Sequence, residues 1–306
     1  MNPECYHIPV MLEECLTGLN ITLNGTYIDL TYGGGGHSKE IVKRLSPKGH
    51  LYGFDQDLDA MEGAISDERF TFIRSNFRYI KNWMQYYGVE KVDGILADLG
   101  VSSHHLDEGK RGFSFRYDAP LDMRMNQTGK LSAKSIIAEY GEEQLADVLY
   151  YYGELKQSRR IAAAIVKARS KGEISTTGQL AELVSPLLGY DREKKDLARV
   201  FQALRIEVNG EMEVLKQMLD NATDILAPGG RLVIMTYHSL EDRIVKNHIK
   251  GTDSKNKENL DAHSLIFGQS KQTLKPINKN VITASQEELA SNPRSRSAKL
   301  RIAEKS

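Results

Sequence analysis

Gly25-Thr-Tyr-Ile-Asp-Leu-Thr31 is a short apolar run that breaks into Tyr32-Gly-Gly-Gly-Gly-His37 and passes directly into a helical pattern from Ser38 to Leu45. β-Branched and aromatic residues bounded by turn residues read as a strand. Consecutive glycines let the backbone turn tightly and approach a ligand with no Cβ in the way, at a helix N-terminus whose unpaired N–H groups point outward. A strand, a glycine turn and a helix in this order point to a nucleotide-type loop on a parallel sheet.

Three further runs continue the pattern: His50-Leu-Tyr-Gly-Phe-Asp55, Phe70-Thr-Phe-Ile-Arg74 and Val92-Asp-Gly-Ile-Leu-Ala-Asp98. Helices are expected near 37–45, 57–66 and 77–87, so strands and helices alternate as in a helix-flanked parallel sheet. A fifth strand, Arg231 to Tyr237, follows the turn signal Pro228-Gly-Gly230, and a last strand is expected around Ala298 to Ala303 after a polar loop from Lys250 to Asp261. Between the fourth and fifth strands the pattern is helical, as in Leu197, Val200, Phe201, Leu204 and Val208 at i, i+3, i+4, i+7 and i+11. The expected organisation is a discontinuous core, 1–105 with 211–306, interrupted by an all-helical substrate-recognition domain over 106–210.

Forty-one Lys and Arg balance 41 Asp and Glu, so any polyanionic partner must be met by a local patch rather than a global field. No run reaches the ~18 apolar residues of a membrane span. Glu4, Glu13 and Glu14 lie where a signal peptide would have a basic flank, and Cys5 and Cys15 match neither a redox pair nor a zinc site. A soluble, cytoplasmic chain without a membrane partner is expected.

The dinucleotide fingerprint fails in both registers, because its third glycine falls on Ser38 counted from Gly33 and on Lys39 counted from Gly34. Asp29 in the first strand and Asp55 at the end of the second instead supply carboxylates to a ligand bearing a cation and a ribose diol, which S-adenosylmethionine has. Asp55 is the expected ribose ligand, since a carboxylate can accept two charge-assisted hydroxyl bonds of ~1.5–3 kcal/mol each. Asp29 either joins it or braces the loop. Asp98 closes the fourth strand at the carboxyl edge where ligands of open α/β sheets sit. It can accept an amine N–H and hold it in line with a methyl group, contact the cofactor, or cap the following loop. Amino-group methyltransferases resemble this arrangement, although the two prolines and aromatic that complete their motif are absent.

Several long motifs coincide: His7-Ile-Pro-Val-Met-Leu-Glu13, Asp29 to Ser38, Gly53-Phe-Asp55, Asp93 to Ser103, Arg111-Gly-Phe-Ser-Phe115, Pro120-Leu-Asp-Met-Arg-Met125, Arg199 to Ile206, His238-Ser-Leu-Glu-Asp-Arg243 and Asn292 to Arg301. Through them nearly the whole chain resembles the bacterial 16S rRNA cytosine-N4 methyltransferase family, the RsmH (MraW) type. The resemblance implies a Rossmann-like class I S-adenosylmethionine-dependent methyltransferase with an inserted all-helical domain, acting on a cytosine in the decoding region of small-subunit rRNA. It places cofactor contacts on Gly35, Gly36, His37, Asp55, Phe77, Asp98 and His105. His105 stands in Ser102-Ser-His-His-Leu-Asp107 where relatives usually have Ser-Ser-Pro-Gln-Leu-Asp. Asp196-Leu-Ala-Arg199 replaces a His-Pro-Ala-Thr-Arg run, and Thr236-Tyr237 replaces a Ser-Phe pair.

A base presented to a methyl donor is swung out and held by stacking and edge hydrogen bonds. Phe113, Phe115 and Tyr237 are candidates for that stacking, with core packing as the alternative for the two phenylalanines. His238 and Arg243 either line the pocket or pair with Glu241 and Asp242. Lys156, Arg160, Lys167 and Lys171 fall within about 60° on one helix face at ~100° per residue, and Arg294, Arg296, Lys299, Arg301 and Lys305 form a basic tail. Such groups suit phosphate contacts. Adjacent His104 and His105 lack the spacing of a metal site. The expected partner is 16S rRNA within the small (30S) subunit, with a homodimer as a further expectation. Methylation of another amine, such as adenine N6 or a protein glutamine, and a non-catalytic rRNA-binding assembly factor remain the competing readings.

Overall fold

A computed structural model of the chain describes residues 9–100, 109–252 and 273–306. The chain divides into two compact units, Met1–Gly100 with Glu213–Ser306, and Val101–Met212.

The first unit is built on a seven-stranded sheet among the described residues, in the order β3-β2-β1-β4-β5-β7-β6. Its strands are β1 (Thr26–Asp29), β2 (His50–Asp55), β3 (Phe70–Arg74), β4 (Val92–Asp98), β5 (Leu226–Thr236), β6 (Leu274–Pro276) and β7 (Lys299–Lys305). Strands β1 to β5 run parallel, and β7 is antiparallel to both of its neighbours. Removing β7 leaves the doubly wound order 3-2-1-4-5-6 of dinucleotide-binding sheets, whose chain reversal makes a crevice between β1 and β4. The fold is Rossmann-like α/β.

Both sheet faces are covered, which is why the strands are apolar without simple alternation. Ile28, Leu30, Phe54, Ile95, Ala97 and Ile234 share one core cluster with Ile80 and Met84 of the helix Ile80–Tyr86. The same cluster takes Leu215, Met218, Leu219 and Ala222 of Glu211–Ile225 and Val245 and Ile249 of Ser239–Ile249. Tyr27, Leu51, Leu96, Val233, Met235, Leu300 and Ile302 fall in the other cluster, with Cys15, Leu16 and Leu19 of Leu12–Leu19 and Ile41 and Val42 of Gly36–Arg44. Residues one apart in a strand therefore serve opposite layers.

The second unit is helical, with Ala133–Glu139, Glu142–Tyr151, Ser158–Arg169, Thr177–Val184 and Glu193–Asn209. Ile136, Leu145, Leu149, Ile161, Ile165, Leu180, Val200, Phe201 and Leu204 are buried together at its centre. The Ser132 and Thr176 side chains cap two of its helices through the N–H groups of Ser135 and Gln179. The irregular segment ahead of these helices is held by side chain to backbone bonds: Arg111 donates to the carbonyls of Arg124 and Met125, while Asn209 accepts from Met125 N at 2.8 Å and donates to Met123 O at 2.8 Å.

Three expectations need correction, and one strand was not foreseen. Pro228-Gly-Gly230 does not precede the fifth strand but lies inside it, at a register irregularity where β4 passes from Leu226 to Arg231, and the strand ends at Thr236. Gly229 adopts a φ of 78°, a conformation that the extra residues of a bulge need. Strand β6 has no counterpart in the sequence reading, because three edge residues ending in Pro276 carry almost no pattern. The helix expected over 57–66 is confined to Leu58–Glu62. The basic face from Lys156 to Lys171 is not one helix face: Glu154 has a φ of 51°, Leu155 is buried, and the helix runs only from Ser158 to Arg169. All four basic residues are nonetheless exposed. Much of the loop Lys250 to Asp261 lies outside the described residues. Among those described, no helix is long and apolar enough to cross a membrane.

Candidate active site

The carboxyl ends of β1, β2, β4 and β5 gather the polar groups, and the sheet register sets their heights. Asp29 pairs with Gly53 and Leu96, so it sits one side-chain repeat below Asp55 and Asp98. Thr31 therefore stands level with both, and its Oγ1 accepts from Asp98 N at 2.7 Å.

Asp29 is buried, and it braces the turn. Its Oδ2 accepts from Ser38 Oγ at 2.6 Å and its Oδ1 from Thr31 N at 3.1 Å, tying the strand to the first turn of Gly36–Arg44. Burial pushes its carboxyl above the ordinary range, partly offset by the Ser38 hydrogen bond, the nearby His37 and Thr31.

The glycine turn closes above it. Gly33 has a φ of 52° and Gly35 of 73°, both left-handed, and a Cβ on Gly35 would stand 2.5 Å from the Tyr32 hydroxyl oxygen. Gly33 N donates to Asp55 Oδ2 at 2.8 Å, and Asp57 N to Asp55 Oδ1 at 2.9 Å. Asp55 thus ties the glycine turn to the segment that follows β2. Gly36 opens the helix, and His37 is buried with Nε2 at 3.0 Å from Val10 O. At the tip of β3, Asn76 Nδ2 donates to Gln56 Oε1 at 3.1 Å, and Phe77 packs half-buried against the core beside Asp55's strand.

Asp98 is half-buried at the end of β4, with Oδ1 accepting from the Tyr237 hydroxyl at 2.7 Å. Burial raises its carboxyl to about 6; His37 and the Tyr237 hydrogen bond oppose the rise, while Asp29 and Glu241 add to it. Beyond β5, His238 caps Ser239–Ile249, and buried Glu241 reaches back to accept from Tyr237 N at 2.9 Å and His238 N at 3.3 Å. His238 Nε2 lies 3.1 Å from Glu241 Oε1. Asp242 does not pair with Arg243. It takes Arg301, with Nε and Nη2 at 2.7 and 3.2 Å, and lies 3.7 Å from Lys299.

The sheet edge thus brings together Gly35, Gly36, His37, Asp55, Phe77, Asp98, Tyr237 and His238. Phe113 is buried in the helical unit, with the Arg111 guanidinium 5.4 Å from its ring centre, and half-buried Phe115 meets Phe201 edge-on at 5.5 Å. Arg294 and Arg296 are exposed in the turn Pro293–Ser297. Of the basic tail residues, Arg301 and Lys299 pair with Asp242, and Lys305 donates to Thr223 O at 2.7 Å. His105 lies outside the described residues. Sequence reasoning missed Thr31 and Ser38, and it offered Glu241 only as a partner of His238, not as the acceptor for Tyr237 N. A short polar residue two places after Asp29, another in the first helical turn, and a Glu three residues after a helix cap were the available signals.

A parallel sheet with a glycine turn and carboxylates at its switch point defines an α/β protein of the nucleotide-ligand class. Comparison with known proteins narrows this. Residues 4–306 match the model of the MraW methylase family, and the chain belongs to that family. It is 58% identical over 302 residues to Ribosomal RNA small subunit methyltransferase H of Phocaeicola vulgatus, covering 99% of this chain and 98% of that protein. It is 56% identical over 300 residues to the protein of the same name in Bacteroides thetaiotaomicron, covering 98% and 97%.

Proposed function

We propose that this chain transfers a methyl group from S-adenosylmethionine to the N4 amine of a cytosine in the decoding region of 16S rRNA, in the cytoplasm and within the small subunit. The observation that carries the reading is the placement of Asp55, the glycine turn and Asp98 at one edge of the sheet, level with one another.

The residues fit the cofactor. Gly33 and Gly35 keep the turn bare in conformations other residues rarely adopt, and a side chain at position 35 would strike Tyr32. Asp55 ends β2 beside the glycine turn, where a carboxylate suits a ribose diol. Gly36 and His37 open the helix whose N-terminus favours the anionic end of a ligand, and Phe77 offers an apolar wall. When bound, the cofactor supplies a methyl group on a cationic sulfur, open to attack by a nucleophile.

A cytosine amine is a poor nucleophile because its lone pair is delocalised into the ring. Asp98 accepts one of its N–H bonds, orients the nitrogen and draws electron density toward it. Once the amine has taken the methyl group, Asp98 or water would accept the proton that the nitrogen sheds. Exposed Lys156, Arg160, Lys167 and Lys171 in the helical unit are candidates for phosphate contacts, and so, within the sheet unit, is exposed Arg296. Within the sheet unit, His238 is the remaining candidate for holding the base.

The test is methyl transfer in vitro. Purified chain, radiolabelled donor and small subunits from cells lacking this chain are combined, and the RNA is digested to nucleosides. Label in N4-methylated cytidine supports the reading; label in another nucleoside or in protein contradicts it.

A further inference from the structure

Tyr237 is fixed at three points. Its N–H donates to buried Glu241 at 2.9 Å, its ring lies over Gly100, where an added Cβ would approach Cδ2 to 3.1 Å, and its hydroxyl donates to Asp98 Oδ1 at 2.7 Å. Gly100 has a φ of 113°, so the close approach of backbone to ring rests on a residue without a side chain. Asp98 is held from its other side as well, through its own N–H to Thr31 Oγ1 at 2.7 Å. Among the described residues, Asp98 Oδ2 has no hydrogen-bond partner.

We infer that Tyr237 is a positioning residue: its hydroxyl locks Oδ1 and fixes the carboxylate rotamer, so that Oδ2 alone is presented to the acceptor amine. This rests on the reading of Asp98 as the amine's acceptor. It gives Tyr237 a task other than base stacking, since a ring laid on Gly100 with its hydroxyl on Asp98 is already committed at one face and its tip. A phenylalanine here would fill the same space and supply no donor.

The hydroxyl also favours the charged form of Asp98. The groups that act on this carboxyl are Asp29 from β1, His37 from the following helix, Glu241 from Ser239–Ile249, and Tyr237 itself. Only His37 and Tyr237 oppose its protonation, so removing the hydroxyl raises the carboxyl further.

The test is Tyr237→Phe, with retained folding checked by thermal unfolding. We expect kcat to fall about tenfold while KM for the RNA substrate changes less than about twofold. The acid limb of the kcat profile should move upward by about one pH unit, since one lost charge-assisted bond corresponds to about that shift. A raised KM with unchanged kcat and acid limb would make Tyr237 a substrate contact and overturn the inference, as would no change in any of these. The Asp98 carboxyl, followed by carbon NMR in both proteins, gives a readout that needs no turnover. An unmoved titration overturns the inference. A titration that moves in a protein unable to methylate RNA sustains the clamp and defeats the functional reading on which its purpose rests.

Discussion

Ser38 Oγ donates to Asp29 Oδ2 across 2.6 Å, and both residues are almost completely buried. This bond joins the end of β1 to the helix after the glycine turn, so the turn is held from beneath by a carboxylate that faces no solvent. Because burial raises Asp29, the folded chain holds its proton more tightly than the unfolded chain does. Its contribution to stability is therefore largest below the unfolded carboxylate pKa of ~3.9 and declines as pH rises through the folded value. Asp29→Asn cannot ionise. We expect a roughly constant offset of about 1 kcal/mol from the altered hydrogen bonds and a flatter stability curve between pH 4 and 7. Urea unfolding across that range checks it; a curve parallel to wild type refutes it.

Asp55 is assigned to the ribose diol while also holding Gly33 and Asp57. Asp55→Ala should weaken S-adenosylmethionine binding by at least tenfold in calorimetry, because each lost charge-assisted bond is worth ~1.5–3 kcal/mol. Unchanged affinity would remove Asp55 from the cofactor site.

Gly35 combines a left-handed φ with the Tyr32 hydroxyl at the position of an absent Cβ. Gly35→Ala should cost at least ~1 kcal/mol in stability and sharply reduce cofactor affinity. Gly172→Ala, at a position where nothing lies within 4 Å of an added Cβ, should do neither. Equal melting temperatures for the two variants would contradict the strained-turn account.

Arg294 and Arg296 are exposed in the turn Pro293–Ser297. Replacing both with Ala should weaken RNA binding and reduce the slope of log affinity against log salt by roughly 0.7 to 0.9 per lost phosphate contact. Titrations at several potassium chloride concentrations measure that slope, and an unchanged one would move the RNA path elsewhere.

Burial alone would raise Asp242, but Arg301, and Lys299 behind it, hold its carboxyl below the ordinary range. A depressed carboxyl stabilises the fold above its unfolded pKa and loses that contribution as pH falls through the folded value. Arg301→Ala should cost about 1–3 kcal/mol near neutrality, and the deficit should shrink below about pH 4 as Asp242 protonates. A deficit independent of pH would assign the loss to packing of the arginine stem.

The parallel strands were legible because each is a short apolar run between turn residues, and Asp55 and Asp98 were legible because they end such runs. The strand order, the antiparallel entry of β7 and the depth of Asp29 were not. They follow from which strands pair and in what register, and no local pattern encodes pairing between residues as distant as Met235 and Leu300. Pro228-Gly-Gly230 was misread for a related reason: a turn and a bulge use the same residues, and only the neighbouring strand distinguishes them. Tyr237 pointed to the site, but the partner of its hydroxyl depends on β4 and β5 lying side by side.

The central claim is that the edge carrying Asp55 and Asp98 methylates N4 of a decoding-region cytosine. Mass mapping of nucleosides in 16S rRNA from cells lacking this chain, complemented with wild type or with Asp98→Ala, addresses it most directly. We expect N4 methylation at one decoding-region cytosine to disappear, to return with wild type, and to stay absent with a folded Asp98→Ala protein. Modification that persists without the chain, or returns with Asp98→Ala, would contradict it.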